Sequence, residues 1–536
     1  MNDFLEYTLC EWMDKAEAEH GDADALVYAD GRALRLSYAQ LNAVSRRVAR
    51  AFMALGIGKG DHVAVWAANT PEWVYTLHAC ARVGAVLVTV NTNYKVFELE
   101  YLLRQSDSKA LVFSDGVKGS DYHDILAQLT PGAVPLLRRL IHMPGARKAE
   151  GGAIEWDDML ALADNVPPEA LAAAERDQHT REVINMQYTS GTTGFPKGVC
   201  LTHHNILNNG YFIGECMKLT PADRLCIPVP FFHCFGLVLA QMAAITHFSA
   251  MVPVEQYNPL QVMRTVQAER CTALHGVPTM FIFILDHPDF ASYDLTSLRT
   301  GIMAGSTCPI EVMRRVVEQM HQKEIVITYG QTECSPGMTM SRTDDPLELR
   351  VATVGRLLPH AEGKVIDPET GLENPPGVPG EICTRGYHLM KGYYKMPEAT
   401  AQAIDADGWL HTGDIGVCDK DGYWSITGRL KDMIIRGGEN ISPREIEELL
   451  YTHPDIADSQ VVGVPSEKFG EEVCAFVIPR SGASLTEEGV KEFVRAKMSR
   501  HKIPSHVFFI DTFPMTASGK IMKYKLRDKA AEALGK

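Results

Sequence analysis

Five short stretches carry residue types suited to phosphate, ribose and carboxylate chemistry. The first, Tyr188-Thr189-Ser190-Gly191-Thr192-Thr193-Gly194-Phe195-Pro196-Lys197-Gly198, packs three glycines, four aliphatic hydroxyls and a lysine into eleven residues. Glycines let backbone N–H groups approach an anion, hydroxyls add donors, and Lys197 adds charge. A polar surface turn has the same composition, so this run alone leaves both readings open. It is not a Walker A loop, because Pro196 precedes the lysine and Gly198 follows it where G-K-[ST] is required. The second stretch is Tyr329-Gly330-Gln331-Thr332-Glu333. Tyr329 suits stacking on a base, Thr332 a phosphate contact, and Glu333 a hard cation such as Mg²⁺. A lone loop glutamate is ordinarily a solvated charge. The third is Trp409-Leu410-His411-Thr412-Gly413-Asp414, whose aspartate could accept from ribose hydroxyls or simply close a turn. The fourth runs from Gly428-Arg429-Leu430-Lys431-Asp432 to Arg436-Gly437-Gly438-Glu439-Asn440, and the fifth is Pro514-Met515-Thr516-Ala517-Ser518-Gly519-Lys520.

Alternating strands and helices must position these stretches. Ser37 is a plausible N-cap for a helix over 37–57, with Leu41, Val44, Val48, Phe52 and Leu55 on one face. Strand 62–66, helix 71–83, strand 85–90, helix 98–106 and strand 110–113 follow, and the pattern recurs through strand 325–327. Such alternation predicts a mostly parallel α/β sheet. Its carboxyl edge is where a loop such as 329–333 would meet a ligand. Between 355 and 394, dense Gly and Pro with short strands such as 380–384 predict an antiparallel, barrel-like subdomain. Beyond a break near 428–443, helix 443–452, strands 458–464 and 472–479, helix 486–498 and strand 506–510 predict a small α+β domain.

Composition narrows the function classes. At 536 residues the chain is too long for one ordinary core. Its 46% hydrophobic and 22% charged residues exclude a wholly disordered chain or a collagen. The net charge of −15 argues against nucleic acid as a partner. Yet residues 497–536 hold nine basic side chains against three acidic ones. That reads as a solvated basic tail or as a lid that brings charge to phosphates. Twelve cysteines without a CxxC pair read as reduced thiols of a cytoplasmic protein, not a disulfide frame or zinc site. The acidic start Met1–Glu6 predicts no secretory signal. The apolar run Leu237–Val254, broken by Gln241, His247 and Ser249, predicts a core helix running into a strand, with no transmembrane segment.

Taken together, in this order and spacing, the five stretches resemble the adenylate-forming superfamily of acyl-CoA synthetases, peptide-synthetase adenylation domains and firefly-type luciferases. The resemblance spans about Leu36 to Lys525. Tyr329–Pro336 and Asp432–Ile441 look most like medium-chain fatty-acyl-CoA synthetases. It implies an N-terminal AMP-binding domain over 1–430, with two α/β sheet subdomains and the barrel-like one. A mobile C-terminal lid would cover 431–536. Thr189, Ser190, Gly191, Thr192, Thr193, Gly194 and Lys197 would cover the ATP β- and γ-phosphates. Gly305, Ser306 and Thr307 would lie along the adenine with Tyr329 stacking on it, and Gly330, Gln331 and Ile426 would be further nucleotide contacts. Thr332 would contact the α-phosphate, Glu333 and Thr189 would ligate Mg²⁺, and Asp414 and Arg429 would hold the ribose. Lys520 would bridge the substrate carboxylate and the α-phosphate. Lys431 would be the hinge, and Gly437, Gly438 and Glu439 would line the coenzyme A channel. Phe232, His233, Phe235, Gly236, Gly305 and Gly330 would wall the acyl pocket, with His233 also counted among the catalytic residues beside Lys520, Glu333 and Thr332; a core histidine is the other reading of His233.

The implied chemistry is two-step. The carboxylate attacks the ATP α-phosphorus to give acyl-AMP and pyrophosphate, and the coenzyme A thiol then displaces AMP. No nucleophilic Ser or Cys is required. A hydrophobic acid is expected, medium-chain or branched fatty acids first and aryl acids second. The competing readings are an enzyme that loads a carrier-protein phosphopantetheine, a luciferase-like oxygenase, and a catalytically silent scaffold. The chain carries no carrier domain after Lys520, which favours a free-standing coenzyme A enzyme. A homodimer is common among relatives.

Overall fold

The computed structural model describes residues 3–29, 32–189, 196–306, 308–436, 439–466, 468–516 and 521–535. Two large sheets with parallel centres dominate. In the eight-stranded sheet the order is Gly392–Tyr393, Lys197–Thr202, Val183–Thr189, Val86–Thr89, His62–Trp66, Ser108–Phe113, Arg139–His142, Ile154–Glu155. From Val183–Thr189 onward its strands run parallel, and Lys197–Thr202 folds back antiparallel. The nine-stranded sheet centres on Glu324–Gly330, Thr300–Met303, Ala273–Leu274, Arg224–Ile227 and Ala250–Pro253, again parallel. Both strand ends that carry the first two motifs, at Thr189 and Gly330, are therefore carboxyl ends.

The expected helices and strands form, with boundaries set by caps. Helix Tyr38–Ala54 starts at Ser37, whose side chain accepts from Gln40 in a capping box. Helix Pro71–Val83 has Thr70 as N-cap, Pro71 in its first turn and Gly84 at φ +72° after its end. Every residue of that helix is buried, Arg82 included. Arg82 is tolerated because Asp14 lies 2.7 Å from one guanidinium nitrogen and Glu175 pairs with the other.

Helix His203–Met217 contacts strands of both large sheets, and only Tyr211 and Glu215 escape burial. A helix buried all round should be apolar, yet this one carries His203, His204, Asn205, Asn208 and Asn209. Each asparagine satisfies backbone groups of a loop packed on it. Asn208 accepts from Leu5 N–H at 2.7 Å, and Asn209 both accepts from Gly337 N–H at 2.9 Å and donates to its carbonyl at 2.8 Å. Asn205 donates to the Leu389 carbonyl at 3.0 Å.

The apolar run 237–254 forms π-helix Phe235–Met242, helix Ala243–Thr246 and strand Ala250–Pro253, all buried. Among the described residues no helix is long and apolar enough to cross a membrane. A four-stranded antiparallel sheet, Ala361–Ile366, Gly380–Gly386, Leu410–Cys418 and Trp424–Arg429, stands where barrel-like strands were expected. The last part of the chain builds a five-stranded sheet around Gly470–Pro479 with helices Pro443–Tyr451, Glu487–Arg495 and Lys523–Ala533.

Candidate active site

The strand Val183–Thr189 ends at Thr189, which lies opposite Lys197 in the antiparallel pairing. Ser190, Gly191, Thr192, Thr193 and Gly194 lie outside the described residues. The hairpin is tight at its base. A Cβ on Gly198 would come within 2.9 Å of Met186 Sδ, and Tyr101 donates to the Pro196 carbonyl at 3.1 Å. Lys197 Nζ sits 4.8 Å from the centre of the Tyr393 ring, a cation–π contact. The Tyr393 hydroxyl donates to Glu333 Oε1 at 2.9 Å. Burial, and then the Glu333 charge, push the Tyr393 phenol up, so it remains a donor.

Glu333 belongs to a loop that several elements hold. Strand Glu324–Gly330 delivers Tyr329, and the turn Thr332–Cys334 follows. A Cβ on Gly330 would lie 1.8 Å from the Pro336 carbonyl oxygen, so only glycine lets the loop fold back so closely. Met390 N–H donates to the Glu333 carbonyl at 2.9 Å, and Ser335 Oγ donates to the His388 carbonyl at 2.6 Å. With Asn209 on Gly337, the loop is fixed from three sides.

A second cluster gathers the residues expected to hold the ribose. The Tyr329 hydroxyl donates to Asp414 Oδ2 at 2.8 Å, and Arg429 Nε lies 2.9 Å from Asp414 Oδ1. Asp414 and Arg429 face each other across an antiparallel ladder, which accounts for their fifteen-residue separation. Burial, and then the Asp414 charge, push the Tyr329 phenol well above its ordinary value. Tyr329 thus uses its hydroxyl as a donor as well as presenting a ring. The Ile426 carbonyl accepts from Arg444 and the Thr427 carbonyl from Ser442, which ties this strand to the first turn of helix Pro443–Tyr451.

Gly305, at φ +91°, follows strand Thr300–Met303, which pairs in register with Glu324–Gly330, and exposed Ser306 comes next. Thr307 lies outside the described residues. Buried Phe232, Phe235 and Gly236 surround the start of the π-helix. A Cβ on Gly236 would lie 2.2 Å from the Pro230 carbonyl oxygen. Phe235 N–H donates to His233 Nδ1 at 3.2 Å, so in the neutral ring Nε2 carries the proton. Cys234, next to it, is fully buried. Burial pushes the Cys234 thiol well up and the Cys334 thiol to about 12, as expected of packing thiols and not nucleophiles.

Lys431 falls in the short turn Leu430–Asp432, and its side chain is outside the described set, as is that of Glu439. Gly437, Gly438 and Lys520 also lie outside the described residues. The structure thus brings Thr189, Lys197, Tyr329, Gly330, Glu333, Asp414 and Arg429 to neighbouring strand ends. Sequence reasoning missed Tyr393, which couples Lys197 to Glu333, and Asn205 and Asn209, which clamp the loops. The only signal for the asparagines was polar residues on an otherwise apolar helix.

The AMP-binding enzyme family matches residues 13–394, and the AMP-binding enzyme C-terminal domain matches residues 445–520. The Bacillus subtilis (strain 168) protein YngI, assigned as an acyl-CoA synthetase, is 53% identical over 99% of this chain and 98% of its own length. The mitochondrial medium-chain acyl-CoA ligase ACSF2 of Rattus norvegicus is 38% identical over 98% of this chain and 88% of its own. The crystal structure of the anthranilate CoA ligase AuaEII in complex with anthranoyl-AMP superposes with a TM-score of 0.88 at 25% identity, covering 99% of both chains.

Proposed function

The chain belongs to the AMP-binding enzyme family, and on that premise we propose which acid it takes and which residues act on it. It is an ATP-dependent acid–CoA ligase that works through an acyl-adenylate. In the first step a carboxylate oxygen bonds the α-phosphorus, the bond to the bridging oxygen breaks, and pyrophosphate leaves. In the second, the coenzyme A sulfur bonds the acyl carbon, AMP leaves with the electron pair of the broken C–O bond, and the thiol proton passes to solvent.

The acid is a medium-chain fatty acid or one of similar hydrophobic character. The observation that carries this is the segment Pro230–Met242, which holds no Asp, Glu, Lys or Arg and buries Phe232, Phe235 and Gly236. A second carboxylate or an ammonium on the substrate would find no counter-charge in that segment. An aryl acid is the second reading, supported by the Phe235 and His275 rings with centres 5.7 Å apart. A panel of acids of rising chain length, assayed for pyrophosphate release with and without coenzyme A, tests this. Preference for dicarboxylic or amino acids would overturn it. Pyrophosphate release without coenzyme A consumption would instead favour carrier-protein loading.

Thr189, Ser190, Gly191, Thr192, Thr193, Gly194 and Lys197 grip the β- and γ-phosphates, with Lys197 steadied on Tyr393. Tyr329 and Gly305 flank the adenine, and Asp414 with Arg429 receives the ribose hydroxyls. Thr332 and Lys520 meet the α-phosphate, where negative charge grows during attack. The Glu333 carboxylate, oriented at Oε1 by Tyr393, and the Thr189 hydroxyl are hard oxygen donors of the type Mg²⁺ takes. Bound there, Mg²⁺ would supply positive charge to phosphate oxygens. The lid, 431–536, rotates about Lys431 so that Lys520 withdraws and the Gly437-Gly438-Glu439 segment meets the coenzyme A thiol. Twelve free cysteines and the lack of a membrane-spanning helix among the described residues favour a cytoplasmic setting.

A further inference from the structure

Away from the nucleotide site, at the far side of the eight-stranded sheet, three metal-ligating side chains converge. Asp115 follows strand Ser108–Phe113, His142 ends strand Arg139–His142, and His123 lies in helix Tyr122–Ala127. His142 Nε2 is 2.8 Å from Asp115 Oδ1, His123 Nε2 is 3.2 Å from His142 Nε2, and His123 Nε2 is 3.6 Å from Asp115 Oδ1. Strand order puts three strands' spacing between His142 and Val86–Thr89, and one more to Val183–Thr189. At ~4.8 Å per strand this is about 19 Å from the phosphate-binding hairpin.

The lone pairs of this cluster converge on one point. Both nitrogens of His142 face carboxylates, Nε2 toward Asp115 and Nδ1 toward Glu155 Oε2 at 3.2 Å. A neutral imidazole has one N–H, so one lone pair must point at a carboxylate oxygen. His123 Nε2 faces the same spot. His142 is fully buried and His123 is 5% exposed, so bulk water does not relieve the conflict. Phe113 packs against both rings, with centres 5.3 Å from each.

The surrounding structure aims these donors. Asp115 Oδ2 accepts from Ala146 N–H at 2.7 Å and Arg147 N–H at 3.2 Å, which leaves Oδ1 turned to the histidines. The loop wraps so closely that a Cβ on Gly145 would lie 2.4 Å from Asp115 Oδ2. Glu155 is itself held, with Oε1 accepting from Ala149 N–H at 2.8 Å. Burial opposes ionisation of Asp115, but His142 and the two backbone donors hold its carboxyl below the usual range. A carboxylate on the outer nitrogen of a ligating histidine is the arrangement that fixes the tautomer of metal ligands.

We propose that Asp115, His123 and His142 form a binding site for a borderline divalent transition metal, Zn²⁺ in the first place, with Glu155 orienting His142. Tetrahedral bonds of ~2.0–2.1 Å place donors about 3.3 Å apart, and the observed separations of 2.8, 3.2 and 3.6 Å bracket that value. Two imidazoles and one carboxylate select zinc-like ions over the all-oxygen preference of Mg²⁺. A water completes the shell on the side where Asp115 is open. The ion would pin helix Tyr122–Ala127 and the loop 143–149 to the strand ends, apart from the ATP site.

Chelator-treated full-length protein titrated with Co²⁺ in the absence of ATP tests the site. The expected result is one equivalent with intense visible bands of a low-coordinate ion and no sulfur-to-cobalt charge-transfer band, displaced by Zn²⁺. Asp115→Asn and His142→Asn should each lose that equivalent while retaining acid-dependent pyrophosphate release, which reports that they fold. Glu155→Gln should bind ~10–100-fold more weakly. Absence of the visible bands in the wild-type protein overturns the proposal and leaves a metal-free hydrogen-bonded cluster of His142 with Asp115 and Glu155 as the explanation. Bands that persist undiminished in both ligand variants, or that carry the sulfur band expected of the Glu381, Cys383 and His411 group, overturn it as well.

Discussion

Tyr393 joins two functional groups that lie far apart in the chain, its ring beneath Lys197 and its hydroxyl on Glu333. Tyr393→Phe keeps the ring and removes only the donor. A hydrogen bond to a charged group is worth about 1.5–3 kcal/mol, so adenylation kcat should fall roughly ten- to a hundred-fold. The melting temperature should hardly move. Unchanged kinetics would show that Glu333 needs no such partner. Lys520 makes the sharper prediction. Lys520→Ala should lower acyl-AMP formation by ~10²–10³ or more, while thioester formation from supplied acyl-AMP stays near wild type. Equal loss in both half-reactions would remove its assigned role.

At the scale of elements, the fold holds the 329–337 loop by close backbone approach and buried polar staples. Gly330→Ala places a methyl against the Pro336 carbonyl, so the loop must shift. The expected cost is about 1–3 kcal/mol of stability, with a raised KM for ATP, read by thermal melting and steady-state kinetics. His275 performs a similar pinning task beneath the π-helix Phe235–Met242. Its Nε2 donates to the Leu239 carbonyl at 2.9 Å and its Nδ1 accepts from Ile302 N–H at 3.1 Å. Burial pushes its pKa from 6.5 down to about 4, so it stays neutral in the fold. The unfolded chain binds the proton first as pH falls. Stability from this group is therefore complete above pH 6.5 and is lost as pH drops toward 4, by about 1.4 kcal/mol per pH unit. His275→Gln should be less stable at pH 7, but its melting temperature should fall less between pH 7 and 5 than that of the wild type. Parallel declines would assign the acid sensitivity to other groups.

Across the whole molecule, the proposed division into a fixed site and a lid makes the region around Lys431 the point of motion. Among the described residues, hydrogen bonds across it include Ser442 on the Thr427 carbonyl, Arg444 on the Ile426 carbonyl, and Met433 N–H on the Arg429 carbonyl at 3.0 Å. Hydrogen bonds of this kind can be exchanged when a body reorients. Lys431→Pro should leave pyrophosphate release intact and slow thioester formation, measured by single-turnover assays of each step. Wild-type overall turnover in that variant would eliminate the hinge.

The contiguous motifs were legible before any fold was known. The Thr189–Lys197 hairpin, the 329–333 loop and the Asp414 and Arg429 stretches each sit within a few residues of a strand end, where short-range periodicity and turn chemistry are decisive. Caps such as Ser37 and Thr70 are also local signals, so helix starts were readable. The π-helix Phe235–Met242 was not, because its apolar run carries no period that separates it from an α-helix. By itself, then, the amino-acid sequence determined the elements, the order of the motifs and the class of chemistry. Only the tertiary structure decided that Tyr393 couples Lys197 to Glu333, that Asn209 clamps Gly337, and that His123 and His142 converge on Asp115. Those contacts depend on which strands lie side by side after long crossovers, and that order arises from burying two sheets around one helix layer, which no local pattern encodes.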